Sequence, residues 1–232
     1  MEAILQYFHQ QPAYLLWLLF LIENIAVCLF SLALGNLILS AYQQSLAKPT
    51  PTEYWLCLLT VILNTAITYA GFYLWQRGYI TFSFSWSWGI IPQFVMLFIA
   101  MDLLMFIFHF IIHQKHIFRL MHRLHHEYHD PSPIDLYVLH PIETIGFGTL
   151  WLILIALYHF NIYAVIIYLV VNVISGIVGH LGFEPIPEKT RRKFPFSYLG
   201  TSHFHHTHHN QISHNYGFYT TVWDKLFNTY KD

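Results

Sequence analysis

Three groups of histidines carry the chemistry of this chain: His109-x3-His113, His122-x2-His125-His126 and His205-x2-His208-His209. Residues three and four apart share one face of a helix, so each group aims two or three imidazoles in a common direction. Neutral imidazole is the commonest metal ligand among side chains. Eight rings from three segments exceed what one tetrahedral ion can take, which points to a two-metal centre. His180, at the end of a later apolar run, is placed to add one more ring from another helix.

The remaining histidines read differently. His9 and His159 fall at the opposite end of the predicted spans, where interfacial or solvated roles are expected. His116, His129, His203, His206 and His214 neighbour the groups without completing their spacing and are read as supporting or surface residues. His140, in His140-Pro141-Ile142-Glu143, is a candidate metal ligand; equally, Pro141 can begin a helix with Glu143 near its N-terminus. Asp102 precedes His109 by seven residues and shares its helical face inside an apolar run. A lone carboxylate there costs roughly 2.5–3.5 kcal/mol on insertion scales, so it must have a partner. The expected partner is a ligand imidazole whose tautomer it would fix.

The elements that position these side chains follow from composition. Of 232 residues, 56% are hydrophobic and only 10% charged, which places the chain among integral membrane proteins. A net charge of -1 gives no footprint for nucleic acid. Tyr14 to Ala41, Tyr54 to Trp75 and Gly89 to Ile112 are each long enough to cross a hydrocarbon core of about 30 Å. Shorter runs, Ile145 to Tyr158 and Ile162 to Val178, read as a hairpin of tilted spans or a re-entrant pair. The predicted fold is an all-α membrane bundle of four to five spans with a His-rich helical cap. That cap comprises two polar blocks, Gln114 to Glu143 and Gly179 to Asp232, expected to face water. Within the first of them, Ile117 to Tyr128 is predicted as a short amphipathic helix.

Placing the end of the third span in the cytoplasm puts every lysine and arginine except Arg77 on that side, as the positive-inside rule requires. The predicted localisation is therefore multi-pass membrane with the histidines at the cytoplasmic face. Residues 1–232 are read as one membrane-embedded domain, with 1–100 as anchoring spans and 101–232 as the histidine-bearing catalytic region. His126-Glu127-Tyr128-His129 is one residue short of the H-E-x-x-H protease pattern. Neither G-x-G-x-x-G nor a P-loop occurs, so electrons for any redox chemistry must come from another protein.

From Asp102 to Thr229 the ordered motifs resemble the fatty acid hydroxylase/sterol desaturase superfamily of membrane-bound histidine-box di-iron oxygenases. They include His122-Arg123-Leu124-His125-His126-Glu127, His140-Pro-x-Glu143, His180 followed by Gly182-Phe-Glu184, Asn215-Tyr216-Gly217 and Trp223-Asp224-Lys225-Leu226-Phe227. The resemblance implies two iron ions, O2 as oxidant, and hydroxylation or desaturation of a fatty acyl chain or sterol-like lipid. It also implies a separate electron-transfer protein, cytochrome b5-like or ferredoxin-like. The alternative is a His-rich membrane metal transporter or metal-binding protein, whose ligands are expected near the bilayer midplane.

Overall fold

The computed structural model describes residues 1–45, 48–127 and 131–232. A short helix α1 (Glu2–His9) precedes the long apolar helices α2 (Ala13–Ala41) and α3 (Pro51–Gln76). Strand β1 (Phe82–Ser83) and helix α4 (Ile90–Ile112) follow, then a helical turn α5 (Lys115–Ile117). After a broken stretch come α6 (Pro141–Ala156), β2 (Phe160–Asn161) and α7 (Ile162–Gly179). The chain closes with α8 (Glu188–Arg191), α9 (Ser202–Asn210) and α10 (Val222–Leu226). Helices α2, α3, α4 and α7 are long and apolar enough to cross a membrane, and the molecule is an integral membrane helical bundle.

Local sequence chemistry sets the helix starts. Thr50 and Glu53 form a reciprocal cap at α3: the Glu53 N–H donates to Thr50 Oγ1 (3.3 Å) and the Thr50 N–H to Glu53 Oε2 (2.7 Å). Pro51 occupies the first helical position, where its missing N–H costs nothing. Pro141 plays the same part in α6, which therefore begins before the apolar run at Ile145 suggests. Asn161 caps α7 by accepting from the Tyr163 N–H at 2.9 Å.

Alternating chain direction puts the two ends of the bundle to different uses. At one end the parallel pair β1–β2 joins the loops after α3 and α6, with Trp86 and Trp88 fully presented to the surroundings in the manner of interfacial aromatics. At the other end α4 and α7 finish and α6 begins, and there the histidines lie. Between the two ends, α4, α6 and α7 enclose a core of Leu97, Met101, Met105, Ile155, Val165 and Tyr168. Gly146 lets α6 approach α4 closely, because a Cβ at that position would stand 2.3 Å from the Phe108 ring.

The predicted regular helix from Ile117 onward is absent among the described residues; its end at Tyr128, like His129, lies outside them. Instead Phe118–His122 forms a π-helical turn, in which the Arg123 N–H reaches Phe118 O at 2.8 Å, and His125–Glu127 tightens into a 3-10 turn. A widened turn followed by a tight one breaks the 100° step of a regular helix.

Candidate metal centre

Nine imidazoles converge in two adjacent clusters. His109, His113, His122, His126 and His208 form one, and His125, His180, His205 and His209 the other, with ligand nitrogens within 4.8 Å of one another in each. Every one of these rings is buried except His113, which is partly exposed. The grouping crosses the sequence blocks. His122 and His126 enter the first cluster while His125 turns to the second; His205 and His209 enter the second while His208 turns to the first. Each of these two blocks thus supplies its i,i+4 pair to one cluster and its intervening ring to the other, while His109 and His113 both enter the first.

Hydrogen bonds at the rim of the centre fix which nitrogen of four of the rings points inward. The His109 Nδ1–H donates to Tyr216 O (2.8 Å), His125 Nδ1–H to Val138 O (3.2 Å), His180 Nδ1–H to Gly176 O (2.9 Å) and His208 Nδ1–H to His214 O (2.6 Å). A carbonyl can only accept, so the proton is on Nδ1 in each case and Nε2 carries a lone pair. His122 Nδ1 lies 2.8 Å from Glu143 Oε1. These contacts have the form that holds metal-ligating histidines in place.

Such an arrangement fits cations. The inward lone pairs of His109 Nε2 and His122 Nε2 face one another at 2.9 Å, a repulsive pairing unless a positive ion shares them. His180 Nε2 and His208 Nε2 are buried with no hydrogen-bond partner, at a cost that metal coordination removes. Burial pushes the His122, His180 and His208 rings down to about 3 and His125 to about 4, with repulsion between neighbouring rings acting the same way on most of them. His113, His126, His205 and His209 are lowered further by the same desolvation. All of these imidazoles are neutral near pH 7 and free to ligate.

Asp102 and His140 differ from the sequence expectation. The Asp102 carboxylate accepts from Tyr219 N–H (3.1 Å), Thr220 N–H (3.3 Å), Thr220 Oγ1 (2.5 Å) and Trp223 Nε1 (3.0 Å), and from no imidazole among the described residues. It thereby fastens the segment that delivers the Tyr216 carbonyl to His109. Asp224 completes the clasp by accepting from the Tyr216 and Gly217 N–H groups at 2.8 and 2.7 Å. His140 stands outside both clusters and caps α6, accepting from the Ile142 N–H at 3.3 Å. Glu143 was the residue sequence reasoning passed over: in the first turn of α6 it is 1% exposed and reaches His122 rather than the helix dipole alone. Its signal was a carboxylate one turn after a Pro-started helix that faces a histidine block.

Comparison with known proteins places this centre in context. The fatty acid hydroxylase family model matches residues 94–229, more than half of the chain. Methylsterol monooxygenase 1 of Rattus norvegicus is 32% identical over 121 residues, covering 52% of this chain and 40% of the relative. Its Gallus gallus counterpart is 26% identical over 194 residues, covering 78% and 64%. Cholesterol 25-hydroxylase-like protein 1, member 2 of Danio rerio is 28% identical over 132 residues, covering 56% and 48%. The chain spans about half the length of the curated relatives it matches. No solved structure matches it significantly.

Proposed function

The chain belongs to the fatty acid hydroxylase family, and on that premise we propose that it is a di-iron oxygenase that hydroxylates or desaturates a membrane lipid. The observation that carries the reading is the pair of all-imidazole clusters, in which ring nitrogens face one another and His180 Nε2 and His208 Nε2 have no hydrogen-bond partner. His109, His113, His122, His126 and His208 hold one iron, and His125, His180, His205 and His209 the other. When bound, the iron pair supplies O2 activation toward a strong C–H bond.

The chain's own residues prepare the site for that chemistry. Carbonyls of Tyr216, Val138, Gly176 and His214 hold imidazole protons outward, so ligation requires no tautomer change. Glu143 stands behind His122 and in its ionised form makes that ring a stronger donor. Phe218 covers His109 with ring centroids 4.9 Å apart, and Phe147 packs on both Phe218 and Phe108. This aromatic layer excludes water from the membrane side of the first cluster. A lipid is the fitting substrate for a centre placed at the ends of apolar helices, and relatives named for methylsterol and cholesterol favour a sterol-like one. Reducing equivalents come from a separate carrier, cytochrome b5-like or ferredoxin-like. The excess of lysine and arginine on the histidine side supports a cytoplasmic centre.

The test is a comparison of membranes from cells expressing the chain and its His122→Ala variant. Lipid mass spectra are expected to show products gaining one oxygen, or losing two hydrogens, only with the unaltered chain and only with O2. Movement of metal across vesicles with no lipid product would instead favour the transporter alternative.

A further inference from the structure

We propose that α10 and the adjoining Phe227 lie within the bilayer beside α4 and contact acyl chains, although they belong to a polar, His-rich stretch. Depth follows from helix lengths. Helices α6 and α7, of 16 and 18 residues, run from the β1–β2 end to the histidine clusters, a distance of about 24–27 Å. The hydrocarbon core is about 30 Å thick, so the clusters sit at its boundary and not far beyond it. Asp102 lies seven residues before His109, about 10 Å further toward the bilayer centre along α4. Tyr219, Thr220 and Trp223 all donate to that carboxylate, and Tyr219 stacks on Phe98 at 5.0 Å, one further turn inward. The segment leading into α10 is therefore pinned at the depth of the middle of a span.

The surface of this segment has the chemistry that depth requires. Its outward side chains are Val222, Leu226 (63% exposed) and Phe227, the last stacked on Phe106 of α4 at 5.4 Å. The apolar face continues onto the exposed Phe110 and Ile107 of α4, a helix whose outer surface faces lipid. Its polar groups have partners within the protein. The Asp224 carboxylate takes backbone donors, Trp223 Nε1 bonds Asp102, and Lys225 Nζ donates to Ser197 O while standing 4.2 and 4.8 Å from the ring centres of Tyr198 and Tyr230. Irregular backbone is tolerated at membrane depth only when its polar groups are met by protein, and here Asp102 and the Leu199–Thr220 bridge meet them.

The test uses the full chain in lipid nanodiscs. Leu226→Cys, Val222→Cys and, as a water-facing control on α8, Lys189→Cys are labelled with an environment-sensitive nitrobenzoxadiazole, and the unsubstituted chain serves as the blank for Cys28 and Cys57. Fluorescence at 222 and 226 is expected to be quenched by acyl-chain nitroxide lipids and spared by aqueous iodide, with the reverse at 189. Iodide quenching at 226 equal to that at 189 overturns the proposal. A second measurement needs no substitution: a lipid-partitioning carbene photolabel should modify peptide 222–227 along with 107–111. Labelling of 107–111 without 222–227 rejects membrane contact.

Discussion

The two imidazole clusters look alike in ligand type and differ in what stands behind the ligands. In the first, His122 is backed by the Glu143 carboxylate, and His109 by a carbonyl on a segment clasped by Asp102 and Asp224. In the second, His125 and His180 are backed by the carbonyls of Val138 and Gly176, both neutral, the latter within the helix that carries His180. A negative charge raises the basicity of a ligand ring; a neutral carbonyl only orients it. The clusters are thus expected to differ in metal affinity although both offer imidazole alone. Their partial openness differs too, since His113 of the first is partly exposed and every ring of the second is buried.

The sharpest way to break the comparison is to test whether the clusters are as crossed as they look. His122→Ala with His208→Ala removes rings from different blocks but one cluster. His122→Ala with His125→Ala removes rings from one block but both clusters. Both double variants should lose all product. Plasma mass spectrometry of purified protein should find about half the metal retained in the first and nearly none in the second, given that removing ligands releases the ion they hold. The opposite pattern would mean that each sequence block serves its own ion.

Acid should empty both clusters. His122, His125, His180 and His208 have folded pKa values below the ordinary 6.5, through desolvation, so the folded state binds fewer protons than the unfolded one in the interval beneath it. Stability from these groups is present above about 6.5 and is lost as pH falls through about 4, where His125 takes its proton, toward about 3, where His122, His180 and His208 follow. Metal retention and the unfolding temperature in detergent, measured from pH 7 downward, should decline together. A flat profile to pH 4 would contradict the burial of these rings.

Glu143→Gln should separate the clusters in affinity. Loss of an outer carboxylate typically weakens a metal about 10–100-fold; Glu143 contacts His122 of the first cluster at 2.8 Å and acts on His125 of the second through its charge alone. Chelator titration should turn biphasic, with half the metal leaving early. Asp102→Asn should act more weakly on the same cluster, through the clasp: loss of a charged acceptor with several donors costs about 1.5–3 kcal/mol of stability. A lower unfolding temperature with early loss of first-cluster metal is expected. Unchanged values for both would detach Asp102 from the centre.

How much of this was legible depended on whether the cause was local. The nine rings were marked by spacing along helices and by a helix end, and the structure gathers all of them. Their partition was not legible, because it depends on how the blocks face one another in the bundle: the regular helix α9 splits its rings in the same way as the broken stretch Phe118–Glu127. Spans α2, α3, α4 and α7 were readable from unbroken apolar runs, whereas the start of α6 was hidden by the polar turn Pro141–Thr144. Asp102 was correctly expected to need a partner from its burial cost. That partner lies more than a hundred residues away on a segment folded back along α4, beyond what helical periodicity can show.

His140→Ala gives the smallest expected effect and still bears on the comparison. A ring ligating either ion would, on replacement, cost that cluster its metal. As a cap, His140 contributes one long acceptor contact to the Ile142 N–H, while the rest of the first turn of α6 is organised by Pro141. Removing such a cap costs about 0.5–1 kcal/mol. Because α6 also carries Glu143, fraying at its start should be felt, if at all, at the first cluster and not at the second. A slightly lower unfolding temperature with unchanged metal content and product is therefore expected, and loss of half the metal would make His140 a ligand after all.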